Sequence, residues 1–81
     1  MIRKKVLLNT VDRVRYFVNV ASSCDVDIDL ISGRYIIDGK SIMGIFGLDL
    51  SKPIDMSIPV DEGSNASVDD FLDAIGNFIV G

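Results

Sequence analysis

The chain contains no histidine, so no imidazole is available as general base, proton shuttle or nucleophile. It has one cysteine, Cys24, which excludes an internal disulfide. A lone thiol with no imidazole to activate it is a poor nucleophile, and Cys24 reads as a packing residue near a helix end. No apolar stretch approaches the roughly 18 residues of a membrane span, and no apolar core precedes a small-residue cleavage site near the N-terminus. The expected location is therefore the cytoplasm, with no membrane partner. Basic residues are in the minority, 8 against 12 acidic ones for a net charge of −4, which leaves no basic footprint for nucleic acid. The only basic run, Arg3-Lys4-Lys5, reads as a solvated strand end. Neither a glycine-rich phosphate loop nor paired carboxylates at a useful spacing is present. No enzymatic activity, catalytic residue, cofactor or metal is expected.

What the chain does have is apolar patterning. Its 81 residues, 48% hydrophobic and 25% charged, suit one domain spanning 1–81, and a chain of this length buries roughly 60% of its unfolded surface. Ile2 to Leu8 reads as a first strand. Asn9 or Thr10 then caps a helix over about residues 11–23, with Val11, Val14, Phe17, Val18 and Ala21 recurring at helical steps. Several of these are weak helix formers, so packing against a sheet must stabilise that helix.

Asp25 to Leu30 alternates with period two, placing Val26, Ile28 and Leu30 on one face and three aspartates on the other. An EF-hand calcium loop would need a glycine and a glutamate where Leu30 and Ile36 stand, so the run is taken as a strand. Ser32-Gly33 turns the chain into the third strand over Arg34 to Asp38. After Pro53, Ile54, Met56 and Ile58 alternate with Asp55 and Ser57 as a fourth strand, which Pro59 stops. Ser67 is expected to cap a last helix, with Asp69 and Asp70 in its first turn and an apolar face of Val68, Phe71, Leu72, Ile75, Phe78 and Ile79. The reading is an α+β domain, a four-stranded mainly antiparallel sheet with three helices on one face.

Between the third and fourth strands lies Lys40-Ser41-Ile42-Met43-Gly44, where a strand hands over to a short helix. Ser41 is the N-cap candidate, and a hydroxyl there faces unpaired backbone amides and the positive end of the helix dipole. In this helix Ile45 and Leu48 suit the core. Ile42, Met43 and Phe46 cluster on an adjoining face that could be buried or exposed.

This pentad, with Ala21-Ser22, the acidic-apolar alternation of Asp25 to Leu30, Gly33 and Leu48, resembles HPr, the phosphocarrier protein of the bacterial sugar phosphotransferase system. The match runs without a gap from Ala21 to Ile58 and more weakly through the last helix. The resemblance implies the order β-α-β-β-α-β-α in an open-faced sandwich. It implies regulatory phosphorylation at Ser41 and an exposed partner-binding patch at Ile42, Met43 and Phe46. It also marks a departure. The family's phosphate-accepting histidine and its nearby arginine are absent, and Thr10 and Asp12 fall near their columns in a shortened Asn9-Arg13 loop. A threonine lacks a phosphoimidazole's transfer potential, and an aspartate repels phosphate.

The implied function is thus regulatory binding by a protein deficient as a histidine phosphocarrier, similar to the catabolite-repression HPr. Its expected partners are proteins, a serine kinase and a transcription regulator or phosphotransferase component, with the chain a monomer or weak dimer. The alternative is a divergent HPr-fold interaction module, binding another partner or self-associating, in which Ser41 is only a cap.

Overall fold

The computed structural model describes residues 1–81. In it the chain runs β1 (Ile2–Val6), α1 (Val11–Ser22), β2 (Asp29–Ser32), β3 (Tyr35–Asp38), α2 (Ile42–Phe46), β4 (Ile54–Ile58) and α3 (Ala66–Ala74), then a 3-10 turn at Gly76–Phe78. The strands form one sheet in the order β1-β4-β2-β3, every neighbouring pair antiparallel. The α+β class and the antiparallel sheet agree with the sequence pattern, and the open-faced sandwich with what the resemblance implies.

Alternation decides which sheet face is covered. Ile2, Val6, Leu30, Ile54, Met56 and Ile58 are buried and share the face under the helices. Arg3, Lys5, Asp29, Ile31, Asp55, Ile36 and Asp38 take the other face, as period two requires. On that open face Lys5 stands opposite Asp55 in register, their charged ends 3.8 Å apart. From the helix layer Val14, Phe17 and Ala21 of α1, Ile45 of α2, and Val68 and Phe71 of α3 close the core. Phe17 meets Phe71 edge to face at 5.5 Å, a favourable aromatic arrangement that locks α1 to α3.

Beyond shifts of one or two residues at the ends of β1, α1 and β3, three departures from the sequence expectation have a visible cause. The strand expected over Asp25 to Leu30 pairs only from Asp29 and continues to Ser32. Before it the chain is drawn aside, because the Asp25 N–H donates to the Ser67 hydroxyl at 3.1 Å. Ser67 is therefore not the cap of α3. Asn65 is, its side-chain oxygen accepting from the Ser67 and Val68 amides at 2.9 and 3.2 Å, as an asparagine at this position does well. The expected last helix also stops at Ala74, so its apolar stripe is divided. Ile75 remains in the core, while Ile79 instead bridges to Val6.

That last change matters for the sheet edges. Beyond the 3-10 turn the chain lies along the free side of β1: Leu7 N–H donates to Phe78 C=O, Val80 N–H to Lys5 C=O, and Lys5 N–H to Gly81 C=O, all within 2.8–2.9 Å. The β1 edge is covered. The β3 edge is not.

Candidate partner-docking site on helix α2

The site begins at the end of β3. The Asp38 carbonyl accepts from the Ser41 N–H at 3.0 Å, and its carboxylate accepts from the Lys40 N–H at 2.9 Å. The chain needs Gly39 here, since a Cβ would come within 2.9 Å of the Ile28 carbonyl oxygen. The turn delivers Ser41 in an extended conformation with its hydroxyl accepting from the Gly44 N–H at 3.4 Å. Ser41 is thus the N-cap of α2, exposed to solvent, with a long and weak capping bond.

The helix is only five residues, so its orientation comes from packing. Ile45 is fully buried. Gly44 faces β3 so closely that a Cβ would lie 2.8 Å from the Ile37 Cγ2 and 3.1 Å from the Ser41 Oγ. With Gly44 and Ile45 turned inward, the helix faces the remaining residues elsewhere. Ile42 is half-buried against the core, whereas Met43 is 78% and Phe46 40% exposed. The choice left open by the sequence thus divides: Ile42 leans on the core, and two large apolar side chains stand in solvent one turn from the serine cap.

Lys40 does not reach toward Ser41. Its ammonium donates to the Cys24 carbonyl at 3.0 Å, satisfying an acceptor just past the end of α1, where a cation is favourable. Lys40 therefore ties the end of α1 to the start of α2. On the far side of α2, Asp49 accepts from the Ser51 hydroxyl at 2.6 Å and the Ser51 N–H at 3.1 Å. The hydroxyl bond first, and then the backbone bond, hold the Asp49 carboxyl below the usual carboxylate range.

The Asn9-Arg13 loop holds a different arrangement. Thr10 is the N-cap of α1, its hydroxyl accepting from the Arg13 N–H at 3.1 Å. Asp12 is exposed in the first turn. Arg13 folds back, donating to the Leu7 carbonyl at 3.1 Å and stacking its guanidinium 5.0 Å from the Phe78 ring centroid. Tyr16 meets the same ring edge-on at 5.7 Å. From the sequence Arg13 reads as the end of the Asn9-Arg13 loop. The three-residue spacing of Arg13 and Tyr16, which puts both on one side of the helix, was the available signal, but Phe78 had been assigned to a helix.

The element order, the antiparallel sheet with one uncovered face and the serine-capped short helix before the last strand define an open-faced sandwich of the HPr type. Among solved structures the chain is similar to HPr-C-His from Thermoanaerobacter tengcongensis, with a TM-score of 0.71 and 21% identity over 95% of this chain and 93% of that one. Neither a family model nor a curated protein matches. The likeness at that identity is one of fold.

Proposed function

We propose that this protein is a regulatory binding protein on an HPr-type fold, deficient as a histidine phosphocarrier, in which Ser41 is a phosphorylation site controlling docking through Ile42, Met43 and Phe46. The observation that carries the reading is the placement of two exposed apolar side chains, Met43 and Phe46, on the helix that the solvent-exposed Ser41 caps. Large exposed apolar side chains grouped beside a modifiable hydroxyl suit a partner surface, and methionine adapts to varied partners. A phosphate on Ser41 would add about −1.5 to −2 charges beside that surface. Its effect falls on partner binding, because the capping bond it replaces is long and the helix is held by Ile45. The partners of this reading are proteins, a serine kinase and a transcription regulator or phosphotransferase component, and the protein itself is not an enzyme.

One observation favours the second reading, an HPr-fold interaction module in which Ser41 is only a cap. The Lys40 ammonium is committed to the Cys24 carbonyl and does not lend its charge to a phosphate at Ser41. The two readings separate when the protein and its Ser41→Ala variant are offered to an HPr serine kinase with ATP and phosphate is mapped by mass spectrometry. Incorporation at Ser41 that disappears in Ser41→Ala supports the regulatory reading. No incorporation, or equal incorporation in both proteins, supports the module.

A further inference from the structure

We infer that the uncovered edge of β3 is a self-association surface, along which two copies of the chain pair antiparallel about a two-fold axis at Ile36. Its hydrogen-bonding groups are ordered for this. The two-residue turn Gly33-Arg34, with Gly33 at φ 60°, closes on Ser32 opposite Tyr35, which makes that pair hydrogen-bonded. Antiparallel pairs alternate, so Tyr35 and Ile37 bond inward to β2. Gly39 keeps the same phase, its N–H donating to the Ile28 carbonyl at 2.6 Å. Ile36, and Arg34 before it, therefore turn their backbone groups outward, away from the sheet, as does the Asp38 N–H, while the Asp38 carbonyl accepts from the Ser41 N–H at 3.0 Å.

Pairing centred on Ile36 sets these same residues opposite one another. Ile36 meets Ile36 of the second copy with both backbone groups free to exchange bonds, and Arg34 meets the second copy's Asp38 at both ends, where the Asp38 N–H faces outward and the two side chains carry opposite charge. The side chains agree. Ile36 is 67% exposed, and directly opposed apolar and opposite-charge pairs are both stabilising. The registers on either side fail: centring on Ile37 puts Arg34 against Lys40 and Ile36 against Asp38, and centring on either Tyr35 or Ile37 opposes residues whose backbone groups already bond inward to β2. The strand is short and ends in Asp38, but its centre, Tyr35-Ile36-Ile37, carries no proline, bulge or lysine to keep a second strand off. The β1 edge, by contrast, is occupied by the chain's own last residues. The pairing is isologous and closed, producing one eight-stranded sheet with both helix layers on the same side. A four-residue strand contributes less than the roughly 800 Å² per partner of a standard interface, so the dimer is weak and appears only at high concentration.

Sedimentation equilibrium of the full chain from micromolar to millimolar concentration tests this, alongside Ile36→Lys and Arg34→Glu, both at exposed positions. The wild-type mass should rise toward a dimer, and each variant should weaken association, Ile36→Lys by roughly tenfold or more because it opposes like charges at the axis. Ile36→Cys should form a disulfide-linked dimer on mild oxidation, since opposed residues in such a pair stand about 5.5 Å apart. Glu62→Cys, on an exposed loop, should not. A protein that stays monomeric at millimolar concentration, association unchanged in both charge variants, or equal crosslinking at residues 36 and 62 would each overturn the proposal.

Discussion

Phe46 and Phe17 carry the same side chain to opposite fates, and the difference is measurable. Phe17 is fully buried against Phe71, so Phe17→Ala should cost ~3–5 kcal/mol. Phe46 is 40% exposed, and Phe46→Ala should cost only about 1–2 kcal/mol. Urea denaturation compares the two, and a loss for Phe46→Ala as large as for Phe17→Ala would remove the exposed patch. Asp49 makes a prediction in pH. Its carboxyl is held low by Ser51, and a group whose folded-state pKa is depressed contributes stability above its unfolded value and loses it as pH falls through the folded one. Replacing Ser51 with alanine should therefore raise the Asp49 pKa, followed by its carbon chemical shift in an NMR titration. No change in that midpoint would show that the Ser51 hydroxyl bond does not set it.

At the scale of elements, the caps test how the chain marks its helices. Asn65→Ala should cost about 1 kcal/mol, as loss of an N-cap does. Ser67→Ala removes the hydroxyl that holds the Asp25 N–H, so its effect belongs to the β2 approach, not to α3. Amide hydrogen exchange distinguishes them: Asn65→Ala should speed exchange in the first turn of α3, and Ser67→Ala at Asp25. The reverse pattern would restore Ser67 as the cap. The elements themselves were legible because each carries a single period, 3.6 for α1 and two for β4. The ends were not. Asn65 and Ser67 are both good caps lying two residues apart, and the choice depends on a bond from Asp25, 42 residues distant. The apolar positions Ile75, Phe78 and Ile79 keep helical spacing, yet Gly76 opens a 3-10 turn and backbone pairing with β1 takes Ile79 into the sheet.

For the molecule as a whole, the cap of the candidate site was readable. Ser41 was identified as a cap from its position between two periodicities, and α2 bears that out. Whether Met43 and Phe46 lay inside or outside was not readable, because a five-residue helix has too few apolar positions to define one face. Ile37 decides it, by bringing β3 so near that only Gly44 fits. The same closeness predicts that Gly44→Ala is destabilising by about 1–3 kcal/mol despite alanine's helix preference, read as a lower urea midpoint. The scaffold is of the HPr type and the chain has no histidine; the proposed function follows from these two facts, a protein that would bind partners and would not relay phosphate. The most direct measurement is incubation with the general phosphotransferase enzyme and labelled phosphoenolpyruvate. The chain should remain unlabelled while a histidine-bearing HPr in the same mixture is labelled; acid-labile phosphate on this chain would contradict the claim.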